Sequence, residues 1–428
     1  MVIRNGKDII LYCNLYVKTN FKHQTLIGGI RFIHFICVMN QEVAEENIAN
    51  GVNPSPTLVI AFDAKRLFNN FTGLGNYSRT LLKNLQTYYP QHEYHLFTPK
   101  IKKNDETAYF LDDSKFIIHT PKNYNPFWRT FGMSAEINTL KPDIFHGLSH
   151  EIPFGLHKNI KTLVTFHDLI YEKFPDQFGW WDKKIYHLKY KSSAFRAKHI
   201  TAISESTKSD LMNIYQIPNE KISVNFQSCN DIFQLEDEHE ENLKVELAGI
   251  KDYYLYVGSI IERKGLLQTI IAFAQLPESA KKPFVVVGNG NKNYISKVRD
   301  MIRYYQLEEY FYFIKGISNP ELISVYDHCY ALVYPSVYEG FGIPVIEALF
   351  RKKPVITSDI SSLPEAAGPG AILVDPYSPE DIAKAIHWLN DPKVYKDVSE
   401  KGHQYVKSRF SSSETTRSLM ELYLDLLS

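Results

Sequence analysis

From Thr57 onward, short apolar runs alternate with segments of helical period. TLVIAFDA (57–64), HEYHLFTP (92–99), FIIHT (116–120), DIFHGL (143–148), TLVTFHDL (162–169), HITAIS (199–204) and NFQSC (225–229) read as strands. Between them, NYSRTLLKNLQTYY (76–89) and ESTKSDLMNIY (205–215) read as helices, the second with Ser204 as its N-cap. QLEDEHEENLKVEL (234–247) is acidic and carries no strand signature. The alternation then restarts. Strands are expected at YYLYVGS (253–259), PFVVVGNGN (283–291), YFYFIKG (310–316), YALVYPS (330–336), PVITSD (354–359) and AILVDP (371–376). Helices are expected at 264–276, 294–307, 321–329, 345–353, 379–390 and 414–427. Strands alternating with helices imply parallel sheets covered on both faces. Two such series imply an α/β chain of two Rossmann-like, doubly wound parallel-sheet domains facing a central cleft. Ligands of open parallel sheets lie beyond the carboxyl ends of the strands.

The expected divisions are a poorly ordered tail at 1–56, a first Rossmann-like domain at 57–240, a second at 241–410 and a C-terminal helix at 411–428 that packs back on the first domain. A length of 428 residues with 44% hydrophobic content suits two cores rather than one. Residues 26–38 are apolar but interrupted by Arg31 and His34. They fall short of the roughly 20 apolar residues of a membrane span. Met39 is a candidate alternative start.

Composition narrows the partners. Lys+Arg and Asp+Glu both number 48, which argues against a nucleic-acid backbone as ligand. Cys13, Cys37, Cys229 and Cys329 are scattered, without metal-ligand spacing or a disulfide framework, as in a cytoplasmic protein. WWDKKIYHLKYKSSAFRAK (180–198) is basic and aromatic. It suits contact with an anionic membrane at the inner face. Lacking a clear apolar stripe, however, it reads as a solvated helix.

The densest chemistry follows the strand YALVYPS. There VYEGFG (337–342) precedes a helix opened by Pro344. A helix tip offers free N–H groups and a positive dipole end, which suit a phosphate. Gly340 and Gly342 allow close backbone approach. Glu339 in the loop can face a transferred group, and Glu347 within the helix can accept hydrogen bonds from paired hydroxyls. Upstream, YVGSIIERKG (256–265) follows another strand, bringing Gly258, Ser259, Arg263 and Lys264. Adjacent cations at a helix start oppose the dipole unless an anion binds there. Arg263 and Lys264 are therefore candidates for stabilising a diphosphate leaving group. Gly288 in GNG (288–290) marks a further turn at a strand end.

The stretch EGFGIPVIE (339–347) resembles the signature of the family 4 retaining glycosyltransferases, in which two glutamates are separated by seven residues. The resemblance covers residues 57–428 and is strongest to a mannosyltransferase-like subgroup. It implies the GT-B fold and transfer of a hexose from a nucleotide-diphosphate sugar. It implies that Glu339 contacts the hexose, that Glu347 binds the ribose, and that the backbone of Gly340, Phe341, Gly342 and Ile343 meets sugar and diphosphate. It places His167 against the hexose and the GNG loop at Gly288 near the nucleotide. On the acceptor side it points to Asp168, Asp63, Arg66, Asn76 and a glycine loop at Gly73 and Gly75. It implies no metal and no cofactor, only the donor substrate, of GDP-mannose or UDP-glucose type. The implied acceptor is a glycan or lipid-linked glycan of surface polysaccharide or lipopolysaccharide synthesis. Two rival readings share the architecture: a sugar-nucleotide epimerase and a non-catalytic nucleotide-sugar-binding protein.

Overall fold

The computed structural model describes residues 56–123, 127–235 and 249–428. The tail expected at 1–56 and the boundary expected near 240 fall almost wholly outside these residues. The first sheet contains β1 (Val59–Asp63), β2 (Glu93–Phe97), β3 (Ile117–His119), β4 (Ile144–Gly147), β5 (Lys161–Phe166), β6 (His199–Ala202) and β7 (Ile222–Val224), in the order β3-β2-β1-β4-β5-β6-β7. The second contains β8 (Tyr253–Val257), β9 (Phe284–Val287), β10 (Phe311–Ile314), β11 (Cys329–Tyr334), β12 (Val355–Ser358) and β13 (Ala371–Val374), in the order β10-β9-β8-β11-β12-β13. All pairings within both sheets are parallel. In each sheet the order reverses beside the first strand, between β1 and β4 and between β8 and β11. That reversal opens a crevice at the carboxyl ends.

The strands read as continuous apolar runs because helices cover both faces. Tyr253 through Val257 are all buried, as are Phe284 through Val287. The helix Gly73–Tyr88 buries Tyr77, Leu82 and Leu85 together with the polar Ser78, Arg79 and Asn84. The last helix, Ser412–Leu427, returns to the first sheet. It buries Leu419, Met420 and Tyr423, each worth about 1.5–3 kcal/mol of apolar burial. The Tyr423 hydroxyl lies 2.7 Å from His146 Nδ1, while His146 Nε2 meets Thr165 Oγ1 at 2.8 Å. Burial holds His146 neutral, down to about 3.

Two expectations are corrected, and one helix appears that the sequence did not announce. NFQSC (225–229) is not a strand: β7 ends at Val224, and Asn225 to Asn230 run as coil toward the second half. Those residues instead face the helix Gly73–Tyr88 across the interlobe cavity. Gly73 and Gly75 do not form a loop but open that helix. The turn lies earlier, where the Asn70 side chain accepts the N–H groups of Thr72 and Gly75. A Cβ at Gly75 would stand 1.7 Å from the Asn70 carbonyl oxygen, so close packing of chain on chain requires glycine there. The long helix Pro392–Arg409 was not foreseen. Its buried residues are only Val398, Gly402 and Val406, too sparse an apolar stripe to show in the sequence.

Candidate active site

The second sheet's crevice collects the candidate donor-side residues. β8 ends at Val257, and the chain turns through Gly258 and Ser259 into a single 3-10 turn, Glu262–Lys264. β11 ends at Tyr334 and leads into the loop bearing Glu339, ahead of the helix Ile343–Phe350. Thus Arg263, Lys264 and Glu339 come from the two strands that flank the reversal. Glu339 Oε1 lies 3.1 Å from Arg263 Nη1 and 3.3 Å from Lys264 Nζ. The same oxygen accepts the hydroxyls of Tyr334 and Ser336, both at 2.9 Å. Burial alone would raise this carboxyl. Lys264 and Arg263, helped by the two hydroxyls, outweigh burial and bring it to about 2. Burial lowers Lys264, and Glu339 opposes that shift. Lys264 also donates to the Tyr334 hydroxyl, and Arg263 donates to the Tyr338 carbonyl. Arg263 Nε is buried without a hydrogen-bond partner among the described residues.

Two glycines permit this convergence. At Gly288 (φ 153°) a Cβ would stand 1.9 Å from the Gly258 carbonyl oxygen, so the two turns touch. At Gly340 a Cβ would stand 2.1 Å from the His167 carbonyl oxygen. The Glu339 loop therefore abuts the end of β5 backbone to backbone. Ser259 is exposed, and its carbonyl accepts the Tyr256 hydroxyl at 2.9 Å. Phe341 is a core side chain, edge-on to Phe410 at 5.1 Å, so only its backbone can serve a ligand. Gly342 is the cap residue before the helix.

Across the contact, the turn directly after β5 supplies His167 and Asp168. His167 Nε2 lies 2.9 Å from the Leu148 carbonyl. A carbonyl only accepts, so Nε2 carries the proton and Nδ1 is left as an acceptor. Burial lowers His167 to about 4, so it is neutral at physiological pH. Its backbone N–H donates to His150 Nε2 at 3.1 Å. Asp168 is raised, first by burial. The Ile170 N–H and Arg263 oppose that shift, and Glu339 and Asp210 add to it. Arg263 and Glu339 thus act on a carboxyl from the other half of the chain.

Glu347 lies further along the crevice. It is 8% exposed, accepts the Tyr326 hydroxyl at 2.9 Å on Oε2, and is pushed by burial up to about 8. Together with Ile343 it lines a cavity of about 360 Å³ whose opposite wall includes Gly73 and Asn76. Tyr77 links the two groups, lining this cavity and meeting the His167 ring edge-on at 4.6 Å.

The remaining acceptor-side residues are dispersed. Asp63 is tied to Arg129, whose Nε donates at 2.7 Å, and Arg129 also pairs with Glu151 at 2.6 Å. Asp63 is only 4% exposed and already paired, so it is a scaffold for the loop after β1 rather than a free contact. Arg66 is half-buried, with its Nε unpartnered among the described residues. It lies near enough to His167 to lower it.

Sequence reasoning missed several supporting groups. Ser361 accepts the Glu339 N–H at 3.1 Å and donates to the Glu339 carbonyl at 2.9 Å, from a left-handed backbone position (φ 61°). Ser362 donates to the Glu339 and Phe341 carbonyls, both at 2.8 Å. The serine pair one residue beyond PVITSD (354–359) was the available signal. Glu365 accepts the N–H groups of Glu205 and Ser206 at 2.8 and 3.0 Å, capping a helix of the first half from the second. His150 lies in HGLSHEIPFG (146–155), a segment whose polar side chains were expected on the acceptor side; it is in a left-handed conformation (φ 60°) and stacked on Tyr190.

Residues 71–225 match the family model described as Glycosyltransferase Family 4, and residues 237–405 match the one described as Glycosyl transferases group 1. The chain belongs to this glycosyltransferase family. Its relatives include O-antigen chain mannosyltransferase RfbU of Salmonella typhimurium, 31% identical over 227 residues. That match covers 53% of this chain and 59% of RfbU, so the chain spans well under two thirds of that relative. O-antigen chain mannosyltransferase B of Escherichia coli is 24% identical over 391 residues, covering 85% of this chain and 99% of that one. Among solved structures, HepE of Anabaena in complex with UDP-glucose superposes with a TM-score of 0.65 at 15% identity, covering 86% of this chain and 100% of HepE. That likeness carries the GT-B fold of this glycosyltransferase, two Rossmann-like sheets facing one cleft. Among the described residues no helix is long and apolar enough to cross a membrane.

Proposed function

We propose that this chain transfers a hexose, with retention of anomeric configuration, from a nucleotide-diphosphate sugar to a glycan or lipid-linked acceptor. The observation that carries the reading is the cluster of Glu339, Arg263 and Lys264 pressed against His167–Asp168. Two buried cations at a strand-order reversal, beside a helix tip, suit a diphosphate whose charge grows as it leaves. In the structure their charge is met by Glu339. A bound diphosphate takes over the cations and frees the carboxylate for hexose hydroxyls. Neutral His167 presents Nδ1 as an acceptor to the same sugar. The raised Glu347 carboxyl keeps its proton near neutral pH, so it can both donate to and accept from a ribose diol. Arg263, Lys264 and the helix tip take the role that a divalent ion fills elsewhere.

Mannose is the favoured hexose, from a GDP-linked donor, because two of the relatives are named as O-antigen mannosyltransferases. The HepE complex keeps UDP-glucose as the second choice. The same relatives support a role in lipopolysaccharide synthesis. The test is a thermal-shift panel of GDP- and UDP-sugars, followed by turnover with the strongest binder and NMR assignment of the product anomer. Stabilisation by one nucleotide sugar and an unchanged anomeric configuration are expected. A panel in which no nucleotide sugar raises the melting temperature refutes the reading.

A further inference from the structure

The helix Trp180–Arg196 buries Tyr190, Ser193 and Ala194, with Tyr190 stacked on His150. Its opposite side carries Trp181, Ile185, Leu188 and Phe195, which are 72%, 46%, 68% and 52% exposed. Their spacing places them along one face of the helix. The sequence showed no stripe because this helix is apolar on two sides, which blurs its period. Only packing reveals which side is left to solvent. The apolar surface continues off the helix. The Arg196 guanidinium lies 3.8 Å above the Phe154 ring, and Phe154 stacks on exposed Phe131 at 5.6 Å.

The charge around this surface is predominantly positive. The helix holds Lys183, Lys184, Lys189, Lys191 and Arg196 against the single acid Asp182. Beyond its C-terminus opens a basin of about 890 Å³ lined by Lys158, Lys161, Arg196, Lys198 and Lys221, with no carboxylate in its wall. None of Lys158, Lys184 and Lys198 pairs with a described carboxylate, and Lys184 instead rests 3.8 Å above the Trp180 ring. Isolated exposed apolar side chains are ordinary, whereas a contiguous aromatic and aliphatic face marks a contact surface. Protein interfaces are depleted in lysine, and a second copy would set this basic face against itself. Aromatic and aliphatic anchors flanked by unpaired lysines match a headgroup layer of negative charge.

We propose that this face docks on an anionic phospholipid bilayer, with Trp181, Ile185, Leu188 and Phe195 entering the headgroup layer and the lysine basin holding lipid phosphates. The helix follows directly on the segment that begins with His167 and Asp168, whose Phe174 packs on Tyr338 of the other half at 5.6 Å. Docking therefore brings the bilayer beside the cleft. The proposal itself stands independently of the transfer reaction.

The test is flotation of the full chain with vesicles of phosphatidylcholine alone and of equal parts phosphatidylcholine and phosphatidylglycerol. Binding to the anionic vesicles only, weakening as salt rises, is expected. K158Q/K184Q/K198Q should lower the partition coefficient about a hundredfold. W181S/L188S should abolish the blue shift of tryptophan emission on vesicle addition. Both variants should keep the parent's melting temperature and its thermal shift with nucleotide sugars, which separates failure here from failure of the proposed transfer. Equal binding to neutral vesicles, no binding at low salt, or undiminished binding of both variants overturns the proposal. So does a concentration-dependent dimer in vesicle-free sedimentation that W181S/L188S dissolves, which would put a second copy in the bilayer's place.

Discussion

Replacing Glu339 by glutamine removes one negative charge from beside two cations that are largely shielded from solvent. The three side chains are 15%, 9% and 12% exposed for Glu339, Arg263 and Lys264, so solvent screens their interaction little. Glutamine keeps an oxygen for the Tyr334 and Ser336 hydroxyls, and the loss is mainly electrostatic. Breaking one side of a buried pair costs about 3–5 kcal/mol, chiefly because the remaining charge is uncompensated. In a lobe of this size each kcal/mol moves the melting temperature by roughly 2–4 °C, giving a fall of roughly 6–20 °C for the empty protein. A nucleoside diphosphate supplies the missing charge. It should therefore bind the variant more tightly than the parent and stabilise it more than the roughly 2.7 kcal/mol that any ligand gives at a hundred times its Kd. Transfer should collapse all the same, because the carboxylate that meets the hexose is gone. The assay is differential scanning fluorimetry of parent and variant, with and without GDP and UDP, alongside turnover. A variant as stable as the parent when empty, or one that the diphosphate stabilises less than the parent, would falsify the view that Glu339 holds the place of the diphosphate.

Gly340→Ala sets a Cβ 2.1 Å from the His167 carbonyl oxygen, so the loop must withdraw from β5. Such overpacking costs about 1–3 kcal/mol, and kcat should fall far more than donor affinity, as single-turnover kinetics can resolve. Glu347 has a folded value of about 8 against an ordinary 4.5, so within that window the folded chain holds a proton that the unfolded chain has released. Stability should thus decline as pH rises from 4.5 to 8, by on the order of 5 kcal/mol across the window. Glu347→Gln should remove that decline, which urea midpoints across the range would show; an unchanged slope in the variant contradicts the assignment. Tyr423→Phe leaves His146 Nδ1 without its buried partner and should cost about 1–3 kcal/mol in a urea titration, with the donor thermal shift unchanged.

Much of this protein was legible as text because parallel strands buried on both faces must be continuously apolar. The runs at 253–257, 284–287 and 329–334 therefore announced their strands, and the polar residues just after them announced a crevice. Gly340, Glu339 and Glu347 were readable for the same local reason: a glycine-bearing turn and an early-helix acid carry their chemistry within nine consecutive residues. Local spacing could not show which distant groups share an atom. That Arg263, Lys264, Tyr334 and Ser336 all converge on one oxygen of Glu339 depends on β8 lying next to β11, a pairing that the fold alone makes. The neutral state of His167 and the raised carboxyl of Glu347 depend on burial by residues far along the chain. The exposed face of the helix Trp180–Arg196 likewise became visible only once Tyr190 and Ala194 were seen to be packed. Sequence determines what a segment can bury and which groups it can offer. Which of those groups lose water, and which meet, is set by long-range contacts that no local pattern contains.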